Sequence, residues 1–204
     1  CQKIQQDTPC ISSAGHMTIQ IDDAGVGDLL HGAVIGAYRL ETGEFRYNMI
    51  DVQFFQQPKF GRKAYLRKAS EIAIQITDEM NLQENEPIQI CGSFIFEEAV
   101  RDLEEKYGKE RVTVTRITNG AQRFVETAYL DEVRNLGYEP LAEREQKRAQ
   151  NFFHMLRWIK QDRRRFRHAK TGWPRLKRYV RQRRVRETTR SRSHSDAWNV
   201  STQK

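Results

Sequence analysis

The order of its strand-like and helix-like patterns is the feature that most constrains how this chain can fold. Strand-like alternation occurs in five segments, 18–22, 32–40, 45–55, 88–96 and 111–117. Helical periodicity lies between or after the later strands, at 62–81, 97–108 and 119–137. Strands that follow a helix join their sheet by right-handed crossovers. The order β-β-β-α-β-α-β-α therefore predicts an α/β fold, with a mixed five-stranded sheet that carries helices on its faces.

Charge divides the chain into two parts. Residues 144–204 carry 20 Lys or Arg and 4 Asp or Glu, whereas residues 1–143 carry 15 and 23. We predict a domain at 17–160, whose last helix begins at Pro140, and a basic helical extension at 161–204 that is partly disordered. Such an extension is typical of proteins that bind nucleic acid or another polyanion, because contacts with phosphate release counterions.

The basic side chains closest to the domain are the ones that we expect to hold a nucleic-acid backbone. They are Arg163, Arg164, Arg165, Arg167, Lys170, Lys177 and Arg178. Aromatic residues among them, Trp173 and Tyr179, are suited to stacking on unpaired bases. The alternative is that Trp173 and Tyr179 dock the extension back onto the acidic domain, which complementary charge within one chain favours.

The remaining composition bears on compartment and partners. Residues 1–16 lack apolar periodicity, and we interpret them as a disordered leader, linker or cloning remnant. The cysteines Cys1, Cys10 and Cys91 have no zinc-binding spacing, and their odd number favours a reducing compartment such as the cytoplasm. No apolar run reaches the roughly 18 residues of a membrane span, so we predict no membrane partner. The oligomeric state stays open.

Two adjacent aspartates end the first strand, in the stretch TIQIDDAGVGD. Asp22 and Asp23 either belong to a metal site or begin a turn in which Gly25 makes the bend. Side-chain alternation puts Asp23 on the sheet face of Ile19 and Ile21, and Asp22 on the opposite face. Because both faces of the predicted sheet are covered, this alternation does not decide which of the two aspartates would be the main metal ligand.

The order of elements and two short motifs resemble the ribonuclease H-like superfamily. The residues Ile21-Asp22-Asp23-Ala24-Gly25 are similar to the IDESG start of a family of RNase H-like nucleases and to the IDPG start of RuvC-like Holliday-junction resolvases. The stretch ITNGAQRFVETAYLDEV resembles the fifth strand and following helix of those resolvases. The resemblance covers residues 17–160 and implies an RNase H-like domain.

What the resemblance implies is metal-dependent cleavage of DNA or RNA phosphodiesters. Mg²⁺ or Mn²⁺ would be held by converging carboxylates. The resemblance implies that an acid of the first strand anchors the metal, either Asp22 or Asp23, and both are candidate metal ligands and catalytic acids. Glu97 and Glu143 are the candidates for the further catalytic acids. The acid that the superfamily usually has on a later helix could also be one of three residues other than Glu143, namely Glu126, Asp131 and Glu145.

The end of the fourth strand differs from the superfamily pattern. A second acid usually stands there, but this chain has Cys91, Gly92 and Ser93. That difference favours the alternative function, a non-catalytic RNase H-like module that binds nucleic acid or a protein partner. Cys91 itself is expected to be a small buried apolar residue.

Overall fold

The computed structural model describes residues 17–118, 120–142, 144, 146–174, 176, 178 and 179. In that part the chain is α/β. Its strands are β1 Ile19–Ala24, β2 Ala33–Arg39, β3 Phe45–Ile50, β4 Ile88–Cys91 and β5 Val112–Thr115. Its α-helices are α1 Ala64–Glu79, α2 Glu97–Tyr107, α3 Ala121–Asn135 and α4 Arg148–Gln161.

A single open sheet contains these five strands in the order β3-β2-β1-β4-β5. β1 pairs antiparallel with β2 and parallel with β4, while β2–β3 is antiparallel and β4–β5 is parallel. The predicted mixed five-stranded sheet is therefore confirmed. β1 is the central strand, and the carboxyl ends of β1, β4 and β5 lie at the same edge of the sheet.

Two apolar cores cover the two faces of the sheet. Ile19 and Ile21 of β1 pack with buried residues of α1 and α2. Ala24 of β1 and Val34 of β2 pack instead with buried residues of α3 and α4. Alternate side chains of one strand thus enter opposite cores, which is what the period of two in a β-strand requires.

Three elements have other bounds than the sequence predicts. The strand predicted at 45–55 ends at Ile50 and is followed by a 3₁₀ turn, Val52–Phe55. The strand predicted at 88–96 ends at Cys91, before a second 3₁₀ turn, Phe94–Phe96. Both turns bury aromatic side chains, so their sequences look as apolar as a strand. The helix predicted from Pro140 begins only at Arg148.

The described part of the basic extension packs against the domain. A 3₁₀ segment, Arg163–His168, leads to a β-bridge between Leu30 and Ala169. The Trp173 ring lies 5.3 Å from the Phe60 ring, and the Tyr179 ring lies 5.5 Å from the Phe152 ring. These contacts agree with the docking alternative for the two aromatic residues. The disorder predicted for residues 1–16 and for the end of the chain falls outside the described residues.

Candidate metal centre and its cavity

The two aspartates stand where the central strand ends. Asp22 pairs with Gly36 of β2, and Asp23 pairs with Ile35. Gly25 then takes a φ of 80°, a left-handed conformation that a glycine adopts without strain, and turns the chain out of the sheet. The strand pairing fixes the backbone of both aspartates, while the turn leaves their side chains at the sheet edge.

Asp22 is almost fully buried, with 4% of its surface exposed. Its carboxylate accepts a 2.8 Å hydrogen bond from the backbone N–H of Asp23 and another from the thiol of Cys91. Burial raises the pKa of Asp22, and the two hydrogen bonds offset only part of that rise. A buried carboxylate of this kind gains from a nearby positive charge.

Asp23 is the half-buried neighbour of Asp22. Burial raises its pKa to about 6, and the negative charge of Asp22 adds to the rise. A hydrogen bond from Ser93 and the positive charge of Lys170 act in the opposite direction. A bound cation would favour the ionised form of both carboxylates, because it replaces water as the partner of their charge.

Cys91 brings a thiol to the same point. Ligand atoms of Asp22, Asp23 and Cys91 all lie within 4.8 Å of one another. Burial and the two neighbouring carboxylates raise the pKa of the Cys91 thiol to about 12, so the thiol is neutral at pH 7 and donates to Asp22. The expectation of a small buried apolar residue is met in part, because Cys91 is half-buried and packs against the apolar core of α1 and α2. Its register in β4 also sets it beside Asp22.

A cavity of about 470 Å³ opens beside this cluster. Asp23 stands on its wall, with the loop that follows β1 and with Ser93 and Phe94 after β4. α3 contributes Glu126 to the wall, and α4 contributes Arg148. The cavity therefore has carboxylates and guanidinium groups around one space that reaches the end of β1.

Two residues of the cavity wall, Asp28 and Arg144, form an ion pair. Arg144 donates a 2.6 Å hydrogen bond to Asp28, and Asn151 donates a 2.8 Å bond to the other carboxylate oxygen. Arg144 also pairs with Glu126 of α3. Sequence reasoning missed Asp28 and Arg144. The position of Asp28 in the glycine loop was the available signal, whereas Arg144 has no local signal because its partner lies 116 residues earlier.

Among the residues that the structure describes, the other candidate acids have different surroundings. Glu126 lines the cavity with Asp23. Glu97 is exposed in the first turn of α2 and is not among the described residues of the cavity wall. Asp131 is exposed and pairs with Arg134 at 3.0 Å. Glu143 and Glu145 lie outside the described residues.

The predicted basic residues differ in their surroundings. Arg163 and Arg167 are exposed, and so is Arg178. Arg164 pairs with Asp162 at 3.0 Å. Arg165 is half-buried, and its guanidinium lies 4.2 Å from the centre of the Trp158 ring. Lys177 falls outside the described residues.

The prediction that Lys170 contacts a nucleic-acid backbone is wrong, because such a contact requires an exposed side chain and Lys170 is buried. It has no exposed surface, and its ammonium donates to the carbonyls of Gly25 and Val26. It also lies 4.6 Å from the centre of the Phe55 ring. Burial lowers its pKa to about 7, although the charges of Asp28 and Asp23 act to raise it. Lys170 therefore ties the extension to the loop that follows β1.

The donors at the end of β1 fit a divalent cation. Two carboxylates meet there, one of them open to a cavity, and both have pKa values raised by burial. Oxygen ligands suit Mg²⁺ and Mn²⁺. In the described part of the chain, the third donor of the cluster is the thiol of Cys91 and not a third carboxylate.

Comparison with known proteins found no match among family models, curated proteins or solved structures. Among the helices that the structure describes, none has the length and hydropathy needed to cross a membrane.

Proposed function

We propose that this chain is a metal-dependent nuclease of the ribonuclease H-like superfamily, acting on phosphodiester bonds of DNA or RNA. The observation that carries the proposal is the pair Asp22 and Asp23 at the end of the central strand, beside a cavity whose wall has carboxylates and arginines. The succession of strands and helices and the mixed sheet agree with the resemblance on which the superfamily assignment rests.

Each residue of the site has a role in this proposal. Asp22 and Asp23 hold the cation, Mg²⁺ or Mn²⁺ as the resemblance implies. A divalent cation supplies positive charge to the scissile phosphate and lowers the pKa of a water. Ser93 orients Asp23 through their hydrogen bond.

The cavity wall supplies the contacts with the substrate. Arg148 binds a phosphate oxygen from the first residue of α4, where a planar guanidinium offers several donors. Arg144 holds Asp28 and Glu126 in place. The exposed Arg163 and Arg167 extend the positive surface for the nucleic-acid backbone.

Nuclease activity is tested directly with labelled single-stranded, duplex, hybrid and branched nucleic acids, incubated with Mn²⁺ or with EDTA. We expect cleavage that requires the metal and is lost in Asp22→Ala and in Asp23→Ala. Asp78→Ala is the matched control, because Asp78 is an exposed carboxylate of α1 that pairs with Lys106. Binding without cleavage of any substrate would reject the proposal.

The second candidate function is a non-catalytic module that binds nucleic acid or a protein partner. The observation in its favour is Cys91, a neutral thiol at the end of β4 where the superfamily usually has an acid. Under this alternative the cavity and the exposed arginines bind nucleic acid, and metal changes neither binding nor the length of the bound strand.

A further inference from the structure

The thiol of Cys91, the third possible ligand at the end of β1, affects which cation the site can bind. Its ligand atoms come from two carboxylates and one thiol, those of Asp22, Asp23 and Cys91. Mg²⁺ takes oxygen ligands and keeps several waters. Thiolates, by contrast, select softer ions, and a mixed oxygen and sulfur set is typical of Zn²⁺ and of ions that replace it.

The spacing of the three donors suits one ion. Donor atoms around a single tetrahedral ion stand roughly 3–4 Å apart, given metal–ligand bonds of about 2.0–2.3 Å. The atoms here all lie within 4.8 Å of one another, so small side-chain rotations bring them onto one centre. In the described part of the chain no further carboxylate joins this group, which a pair of ions would need.

Backbone pairing and hydrogen bonds hold the donors in place before any ion binds. Ile21 pairs with Ile90 in the parallel register of β1 and β4, which puts Asp22 beside Cys91 one residue further on. The backbone N–H of Asp23 bonds to Asp22 at 2.8 Å, and Ser93 bonds to Asp23. Such outer contacts orient the ligands of protein metal sites.

The site also has an open side. Asp23 lies on the wall of the 470 Å³ cavity, so an ion held at this point faces space for water or a phosphate oxygen. Three protein ligands with an open fourth position are the arrangement of catalytic zinc sites, whereas structural zinc sites have four protein ligands.

We infer that Asp22, Asp23 and Cys91 bind one thiophilic divalent cation of the Zn²⁺ and Co²⁺ class, with the fourth position open to the cavity. The inference rests on the proposed metal-dependent function, and it puts an ion of the Zn²⁺ class where the resemblance implies Mg²⁺ or Mn²⁺. On binding, a metal–sulfur bond replaces the S–H bond of Cys91, and the proton passes to the solvent.

Co²⁺ is the probe, because a thiolate bound to Co²⁺ gives a charge-transfer absorption band. The full chain carries Cys1→Ser and Cys10→Ser, so that Cys91 is its one thiol, and is kept reduced. We expect one Co²⁺ per chain, a sulfur band and no displacement by excess Mg²⁺. Cys91→Ser in the same background removes the band and weakens Co²⁺ binding by about 100-fold or more. Loss of a residue that only hydrogen-bonds a metal ligand already costs about 10- to 100-fold in metal affinity, and loss of a ligand should cost more.

Cys91→Asp is the second variant, and it keeps three ligands if Cys91→Ser fails to fold. We expect this variant to bind metal without the sulfur band and to gain affinity for Mg²⁺ relative to Co²⁺, because an oxygen replaces the sulfur. Circular dichroism of each variant establishes that the fold is kept.

The outcomes separate this inference from the nuclease proposal. Stoichiometric Co²⁺ without a sulfur band, unchanged affinity in Cys91→Ser, or no Co²⁺ binding each overturns the inference. If cleavage still depends on Asp23 in those cases, the nuclease proposal stands. A sulfur band in a protein that cuts no substrate supports the inference and rejects the nuclease proposal.

Discussion

The buried charges at the end of β1 set the behaviour of the site at the scale of single residues. Asp22 is buried and Asp23 is half-buried, and burial raises the pKa of both carboxyl groups. Without a metal, this arrangement costs stability, because burial disfavours the charged form. Functional sites commonly carry such a cost, and removing the charge then stabilises the fold while it abolishes activity.

Asp23→Asn tests this cost through its pH dependence. The folded-state pKa of Asp23, about 6, lies above the ordinary value of 3.8. Its contribution to stability is therefore complete below pH 4 and is lost as the pH rises through 6. In EDTA we expect the variant to gain about 1–3 kcal/mol over the wild type between pH 4 and pH 7. Urea denaturation at both pH values measures the difference.

Asp78→Asn is the control of opposite sign. Burial alone would raise the pKa of Asp78, but hydrogen bonds from Lys106 and Tyr107 lower it overall. Its contribution is present above the ordinary pKa of 3.8 and is lost as the pH falls below that value, so this variant gains relative to the wild type between pH 5 and pH 2, a window below that of Asp23. If both variants respond to pH in the same direction, the account of Asp23 is wrong.

At the scale of elements, the contact of α3 with the sheet positions one wall of the cavity. α3 packs over β1 and β2 through Val125, which approaches Gly36 closely. A Cβ at Gly36 would lie 2.5 Å from Val125 Cγ1 and 2.8 Å from Phe45 Cε2. Glycine at position 36 therefore allows α3 to pack this closely against β2. Gly36 is also the residue that pairs with Asp22.

Gly36→Ala should therefore destabilise the protein by about 1–3 kcal/mol through overpacking. Gly27→Ala is the matched control, since a Cβ there meets nothing within 4 Å. We expect the control to stay within about 0.5 kcal/mol of the wild type. Urea denaturation compares the two, and equal stabilities would mean that α3 moves away from β2 at little cost.

At the scale of the whole molecule, the basic extension is part of the site's support. His31 donates from its backbone N–H to the carbonyl of His168, and Lys170 does the same to Leu29. The Lys170 side chain reaches Gly25 on the loop after β1. The end of the described chain thus holds the loop that borders the cavity.

Lys170→Met tests this connection by its pH dependence. Burial lowers the folded-state pKa of Lys170 from 10.5 to about 7. Its contribution to stability is therefore lost as the pH falls towards 7 and returns as the pH rises. Between pH 7 and pH 9 we expect the wild type to gain about 1–2 kcal/mol more than Lys170→Met. Parallel pH profiles in urea denaturation would contradict the burial of this ammonium.

Nucleic-acid binding by the extension is tested by its salt dependence. Arg163→Gln with Arg167→Gln removes two exposed cations. If both contact phosphate, the slope of log K against log salt for a single strand falls by about 1.4. Arg62→Gln with Arg67→Gln is the matched control, because both arginines are exposed near or on α1. Fluorescence anisotropy measures the slopes, and equal slopes would place the phosphate contacts elsewhere.

The fold class and most elements could be predicted from the sequence, because the period of apolar residues records burial locally. β1 and α1 follow from the alternation at 18–22 and the stripe at 62–81. The same reasoning predicts a strand where the chain forms an apolar turn, as at Val52–Phe55. An aromatic side chain can be buried in the core from a turn as well as from a strand, so the two patterns look alike.

The sequence by itself determined an α/β chain with a mixed sheet and two adjacent acids at the end of its first strand. Only the tertiary structure decided what surrounds those acids. Strand register sets Cys91 beside Asp22, and the fold brings Arg144 to Asp28 and buries Lys170 under Gly25. The physical reason is that these contacts join segments far apart in the chain, where local periodicity carries no information about the partner.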